Sequence, residues 1–314
     1  MYQMSLKDLV RRMIRKTFLP FLILLLGAMG AEGQQNKQKV LWQKLQDEIH
    51  SIDKHLDGVL GLGVKDLTSG EEFLINGDEV MPQASSIKIA VLAELYRQAG
   101  QNKLKLIDEY VVRKEDLVPG SNIMLGLTPG VTRITLRDLA TMMVAVSDNS
   151  ATNVLIERVG MENVNSMLEG LGLHATRLRR KMMDLKAASE GRENVSTPRE
   201  MMALLEAIYR GKLLGTGMKD DFFKILSTPK ESSMLQGLPE DAVAANKPGE
   251  LEAVRNDSGV VFVKNRPYVL CVMTTYLKDE KEGAAAIRKI AQLTYSYFDR
   301  VGRASEYGRV VSPK

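Results

Sequence analysis

Five apolar residues, Leu41, Leu45, Ile49, Ile52 and Leu56, recur three or four positions apart and predict an amphipathic helix over residues 38–56. The period then changes to two. Leu60, Leu62 and Val64 alternate, Thr68-Ser69-Gly70 supplies a turn, and Phe73 to Ile75 return, which predicts a β-hairpin. Helical patterning dominates from about residue 85 to 210. Two helix starts stand out: Thr135 with Asp138, and Thr197-Pro198 with Glu200, the second helix ending at Gly211. Between them runs a long polar stretch, "RLRRKMMDLKAASEGRENVS", too aperiodic for regular structure and of the length that usually carries function. Strands return in "AVAANKPG", "SGVVFVK" and "RPYVLCVMTTYL", with Lys264-Asn265-Arg266 as a turn. A last helix places Ile287, Ile290, Thr294 and Tyr297 on one face.

Strands at both ends and helices between them predict an α/β (α+β) fold. One antiparallel sheet, built from both chain ends and flanked by the first and last helices, is joined to an all-helical lobe. The expected division is residues 37–80 with 211–305 for the sheet lobe, 81–210 for the helical lobe and 306–314 for a tail. A groove between two lobes is where a site is expected. The paired methionines at 142–143, 182–183 and 201–202 are read as core filling.

Charge alters this picture only at the start. Lys7, Arg11, Arg12, Arg15 and Lys16 face Asp8 alone, and this segment accounts for the formal charge of +4. The rest is near neutral, so no nucleic-acid partner is expected. The basic start precedes "TFLPFLILLLGAMGAEG", an apolar run with small residues after it. Residues 1–33 therefore read as an export signal, giving a periplasmic or secreted protein with no stable membrane span after cleavage. Cys271, the one cysteine, is read as a small buried apolar residue. His50, His55 and His174 lack metal-ligand spacing, so neither metal nor cofactor is expected.

Candidate chemistry lies in "QASSIKIAVLAEL". Ser-x-x-Lys occurs three times, at Ser51–Lys54, Ser85–Lys88 and Ser227–Lys230. The first lies within an amphipathic helix, and Pro229 argues against a helical turn in the third. Ser85 instead stands where an apolar helix begins, one turn before Lys88. A helix N-terminus disfavours a cation, and burial does the same. Both push Lys88 toward the neutral amine that a general base needs. On this motif alone, a lysine snorkelling from a core helix accounts for the pattern equally well. Of the two adjacent serines, Ser85 has the spacing, and Ser86 is left to begin the helix. Two later tripeptides break the tie: Ser147-Asp148-Asn149 between two helices and Lys247-Pro248-Gly249 on a late strand.

With these three motifs in this order, the chain resembles the penicillin-recognising serine hydrolases, class A β-lactamases most closely. The resemblance spans nearly all of the chain beyond the signal. It implies that Ser85 is the acylated nucleophile and that Lys88 takes or relays its proton. It further implies that Ser147 passes a proton to the leaving nitrogen. Asn149 would hold the substrate's amide side chain and orient Lys88. Lys247 would steer the substrate carboxylate and help keep Lys88 neutral. The backbone N–H groups of Ser85 and Glu250 would form the oxyanion hole, and Gly249 would keep the strand approachable. The implied partner is a small molecule, a β-lactam or cell-wall peptide, met by a monomer.

Two departures bear on turnover. The family carries Arg-x-Glu-x-x-Leu-Asn in the long loop, the glutamate activating the water that releases the acyl group. Ungapped counting back from Thr197-Pro198 puts Arg179 at the arginine and Lys181 at the glutamate. Asn194 falls where an aspartate pairs with that arginine, with Glu193 beside it as a substitute. Asp184, then Glu190, are the acids nearest for a replacement base. The second departure is Pro248, where the family has a carboxylate-binding Thr or Ser. Its absence leaves that task to Lys247 and Arg255. The expected function is β-lactam opening through an acyl-serine. The alternatives are a related acyl-transfer enzyme, D-alanyl carboxypeptidase-like or an esterase, and a penicillin-binding protein with slow release.

Overall fold

The structure, a computed structural model, describes residues 37–305 and 307–310. The expected signal segment lies outside the described residues, as does most of the expected tail. Helix α1 covers residues 37–55. The strands are β1 (Val59–Asp66), β2 (Glu72–Ile75), β3 (Met81–Pro82), β4 (Glu109–Val111), β5 (Arg133–Thr135), β6 (Val195–Ser196), β7 (Ala244–Leu251), β8 (Val254–Val261) and β9 (Tyr268–Thr275). The later helices are α2 (Lys88–Gly100), α3 (Leu136–Ala145), α4 (Asn149–Val159), α5 (Met161–Gly170), α6 (Leu185–Ser189), α7 (Pro198–Tyr209), α8 (Thr216–Leu226), α9 (Ser233–Gln236) and α10 (Glu280–Arg303). No helix among the described residues is long and apolar enough to cross a membrane.

The main sheet is antiparallel, in the order β2-β1-β9-β8-β7, so both chain ends contribute to it as the patterning predicts. The strand period explains its two faces. Leu60, Leu62 and Val64 of β1, with Leu270 and Val272 of β9, meet Trp42, Leu45 and Ile49 of α1 and Ile287, Ile290 and Phe298 of α10. Within that layer Tyr268 stacks on Phe298, ring centroids 4.2 Å apart. On the other face Cys271 and Met273 join a larger core with α2 and α7. Cys271 is fully buried there, and burial pushes its thiol up to about 12. Gly61 belongs to this face. A Cβ on it would lie 2.8 Å from Pro198 Cγ and 2.7 Å from Met81 Sδ, so α7 reaches the sheet only because that side chain is missing.

Both predicted helix starts are present, with one change of role. Thr135 Oγ1 accepts from the Asp138 N–H and donates to its carboxylate. Thr197 Oγ1 accepts from the Glu200 N–H, but the Glu200 carboxylate is used elsewhere, accepting from the N–H groups of Ala175 and Thr176. Two features escaped the patterning. The pairs β3–β6 and β4–β5 are two or three residues long, too short to show a period. Helix α8, within the stretch expected to belong to the sheet lobe, packs Phe222 edge-on against Tyr96 of α2. The helical side thus extends along the chain past residue 210. Met183 also differs from expectation: it is exposed, at φ +63°, while Met182 is buried.

The Tyr268–Phe298 stack fixes α10 to the sheet. Phe298→Ala is expected to cost about 3–5 kcal/mol, the usual range for emptying a buried aromatic site. Urea denaturation followed by circular dichroism measures this.

Candidate active site

Ser85 lies in a 3-10 turn, Ala84–Ile87, that runs directly into α2. Three hydrogen bonds hold the turn. Ser86 Oγ donates to the Lys247 carbonyl at 3.0 Å, Asn256 Nδ2 to the Pro82 carbonyl at 2.7 Å, and the Gln83 N–H to the Asn194 carbonyl at 2.8 Å. Ser86 therefore binds the turn to β7, a more specific task than the helix start expected of it. Gly249 completes the junction. A Cβ there would meet Gln83 O at 2.6 Å and Ser86 Oγ at 2.8 Å, so the strand can lie against the nucleophile's turn only as glycine. Ala84 is held at φ +49°, a conformation that non-glycine residues avoid.

Ser147 sits at φ +55°, between α3 and α4. Strain of this kind, of order 1–3 kcal/mol, persists only where surroundings enforce it. Asp148 does so here. Its buried carboxylate caps α4 through the Ala151 N–H at 3.0 Å and accepts from the Ile123 and Met124 N–H groups, both at 3.0 Å. Asn149 is placed under Gly120, donating to the Pro119 carbonyl at 3.3 Å.

Lys88 is fully buried at the first turn of α2. Its Nζ is bonded to the Ser147 carbonyl (2.7 Å), Ser147 Oγ (2.9 Å) and Asn149 Oδ1 (3.1 Å), and Ser147 Oγ is bonded to Ser85 Oγ (2.9 Å). Lys88 thus reaches Ser85 through Ser147, and not directly as the three-residue spacing suggested. Burial, and then the Lys247 charge, hold the Lys88 ammonium far below its ordinary range, with Asp148 opposing. A neutral amine has two N–H donors and one lone pair. The Ser147 carbonyl and the Asn149 amide oxygen can only accept, so they take both donors. The lone pair is left for the Ser147 hydroxyl, whose oxygen can then accept the proton of Ser85.

Lys247 is also buried, its Nζ donating to the Pro248 carbonyl at 2.9 Å. Burial pushes it down to about 7, aided by Lys230 and opposed by Asp257 and Glu250. The Asp257 carboxylate is itself raised by burial and held by Ser232 Oγ (2.6 Å) and Asn246 Nδ2 (2.6 Å).

A cavity of about 700 Å³ opens over these groups, lined among others by Ser85, Asn122, Ser147, Asn149, Lys247, Pro248 and Glu250. Lys88 and Gly249 are buried beside these lining residues. Asp184 is not brought to the cavity: it is exposed, and its Oδ1 caps α6 by accepting from the Ala187 N–H. Glu190 is also exposed, paired with Arg192 at 2.5 Å. Ungapped counting misplaced the long loop by one. Arg180, and not Arg179, pairs with an acid, Glu193, at 2.7 Å. Asn194 instead accepts from the Arg179 and Arg180 N–H groups. Counting from Arg180 in the Arg-x-Glu pattern gives Met182. Its backbone is clamped by the Asn153 side chain at 2.8 and 3.1 Å, and its side chain is buried. Lys181 turns away to Glu157, at 2.5 Å.

Arg255 is also unavailable to a substrate. Its guanidinium pairs with Glu280 and donates to the Leu251 and Val254 carbonyls. Sequence reasoning passed over two features of the site. Asn153 stood in plain view in "SDNSATN", four residues after Asn149. Lys230 lines the cavity outside any helix, although it was set aside because Pro229 breaks its Ser-x-x-Lys match.

The sequence profile of the beta-lactamase enzyme family matches residues 41–298. The chain belongs to this family. It is 28% identical to beta-lactamase SME-1 of Serratia marcescens over 261 residues, 80% of this chain and 88% of the relative. It is 29% identical to beta-lactamase OXY-2 of Klebsiella oxytoca, over 86% and 92% of the two chains. The beta-lactamase of Sphaerobacter thermophilus superposes with a TM-score of 0.75 at 29% identity, covering 81% of this chain and 97% of the other. A PBP-A mutant solved as an acyl-enzyme complex with penicillin G gives the same TM-score at 25% identity, over 82% and 97%.

For a family member whose site holds buried lysines, stability depends on pH. Lys247 binds a proton near pH 7 when folded, against an ordinary value of 10.5. The unfolded chain therefore holds more protons between these values, and stability rises with pH across this window. From pH 7 to 9, Lys247→Met is expected to flatten the rise that the wild type shows in urea denaturation. Lys88 and Lys230, lowered in the same sense, supply the slope that remains.

Proposed function

We propose that this protein opens β-lactam amides through an acyl intermediate on Ser85. The observation that carries this reading is the hydrogen-bond bridge from Ser85 through Ser147 to a buried, charge-disfavoured Lys88. Ser85 Oγ attacks the amide carbonyl while its proton moves to Ser147 Oγ and the Ser147 proton moves to Lys88 Nζ. The tetrahedral oxyanion is received by the backbone N–H groups of Ser85 and Glu250. As the C–N bond breaks, the proton returns from Lys88 through Ser147 to the leaving nitrogen, and the acyl group remains on Ser85. Asn149 orients both the amine and the substrate's amide, and Lys247 attracts its carboxylate. The protein works as an exported monomer, in the periplasm or outside the cell, without a metal or cofactor.

Release of the acyl group is a separate matter. Met182 occupies the loop position where the family has its water-activating glutamate, and the cavity's acids are Glu231 and Glu250, both exposed. This supports a second reading within the same chemistry, in which acylation is fast and hydrolysis slow.

Incubation with a chromogenic cephalosporin, followed by colour and by intact mass, tests both. A mass adduct on the wild type that is absent from Ser85→Ala supports the acyl-serine reading. Neither adduct nor colour refutes it. Met182→Glu is expected to speed acyl release by about 10²–10⁴-fold, the usual worth of a general base, leaving the rate of acylation unchanged.

A further inference from the structure

Lys230 stands on the cavity wall between Pro229 and Glu231, just after α8. Its Nζ donates to the Leu226 carbonyl at 2.9 Å, which caps the C-terminus of α8. That bond uses one of three ammonium donors. No other hydrogen bond and no ion pair of Lys230 is present among the described residues. A helix cap alone does not explain a largely buried ammonium with spare donors at the cavity that holds the nucleophile.

The other anchors for a substrate anion are compromised. Pro248 has neither the hydroxyl that the family uses nor an N–H. Arg255 is committed to Glu280 and two backbone carbonyls. Lys88 lies under the nucleophile, where its task requires a neutral amine. Lys247 already gives a bond to the Pro248 carbonyl. Glu231 and Glu250, exposed on the same wall, repel an anion, and Asp257 is buried behind β7 among Ser232, Asn246 and the Met234 N–H.

We propose that Lys230 is the specificity-determining anchor for a substrate carboxylate, donating to it in place of the missing hydroxyl at position 248. The proposal rests on the acyl-serine reading and adds a substrate class to it: amides that carry a free carboxylate. The protonation order of the three lysines supports it. Burial pushes Lys230 down only to about 8, against about 7 for Lys247, so at neutral pH Lys230 carries the fuller charge. Lys230 and Lys247 repel each other, and a carboxylate bound between them relieves the repulsion.

The test compares a penicillin with its methyl ester as acylating agents, following Ser85 adduct formation by intact mass over a range of concentrations. Lys230→Gln is expected to lower the acylation efficiency of the acid by about 10–100-fold, the usual worth of a hydrogen bond to a charged group. The loss should fall on apparent affinity and leave the maximal rate unchanged. The ester should react with Lys230→Gln as it does with the wild type, and Lys230→Arg should restore most of the acid's advantage. Lys230→Met carries the same expectation, so the test does not depend on the folding of one variant. Equal losses for acid and ester, or no loss for the acid, overturn the proposal while leaving the acyl-serine reading intact. A wild type acylated by neither compound removes that reading and this proposal together.

Discussion

The site depends on one electrostatic constraint: the amine of Lys88 is taken out of water with no carboxylate in contact to keep it charged. Its three partners are a carbonyl, an amide oxygen and a hydroxyl. Neutral partners of this kind do not offset the desolvation of an ammonium. The helix N-terminus beneath it and the neighbouring Lys247 add to the penalty. Asp148 is the nearest opposing charge, and its oxygens already serve the N–H groups of Ile123, Met124 and Ala151. The same carboxylate therefore does two things. It holds Ser147 in a strained backbone conformation beside the amine, and it withholds itself from neutralising that amine.

Two lobes' worth of structure serve this arrangement. Ser85 and Lys88 are fixed relative to each other by α2, but Ser147 comes from the α3–α4 junction and must meet them to within hydrogen-bond distance. The turn that carries Ser85 is fastened to the edge strand β7 through Ser86 and the missing side chain of Gly249. A slack joint at any of these points would leave Lys88 buried without its polar partners, a worse state than either the assembled site or a solvated lysine. Assembly is enforced by the cost of the alternative.

Much of this was legible in the sequence. The helix and strand periods predicted the sheet from both chain ends, because α1, β1 and α10 each bury one regular stripe. The three motifs named Ser85, Lys88, Ser147, Asn149 and Lys247, which the fold brings to one cavity and its floor. The failures have physical causes. Helix α8 concentrates its apolar residues in "FFKIL" at one end, between glycines and acids, so no stripe develops. The long loop is aperiodic, so only an ion pair, Arg180 with Glu193, reveals that its register differs by one from ungapped counting. Asp184 has the composition of a base and the position of a helix cap, a distinction that only coordinates can make. Lys230 was dismissed for lacking a helical turn, although a residue outside a helix can line a cavity as well as one within it.

The three lysines form a graded series that ties the two departures in the motifs together. Lys88 is the deepest and must be neutral to accept a proton. Lys247 is equally buried, but Asp257 and Glu250 draw its charge back. Lys230 is the least buried and the most charged at neutral pH. Removing the hydroxyl from position 248 takes away a neutral hydrogen-bond donor without changing the charge of the cavity, whereas a lysine nearby restores a donor and adds a charge. That added charge also acts on Lys247, and through it on Lys88, favouring the neutral amine. The substitution at 248 and the cation at 230 thus act on the same two quantities, substrate attraction and base strength, and neither position can be understood from its own contacts alone.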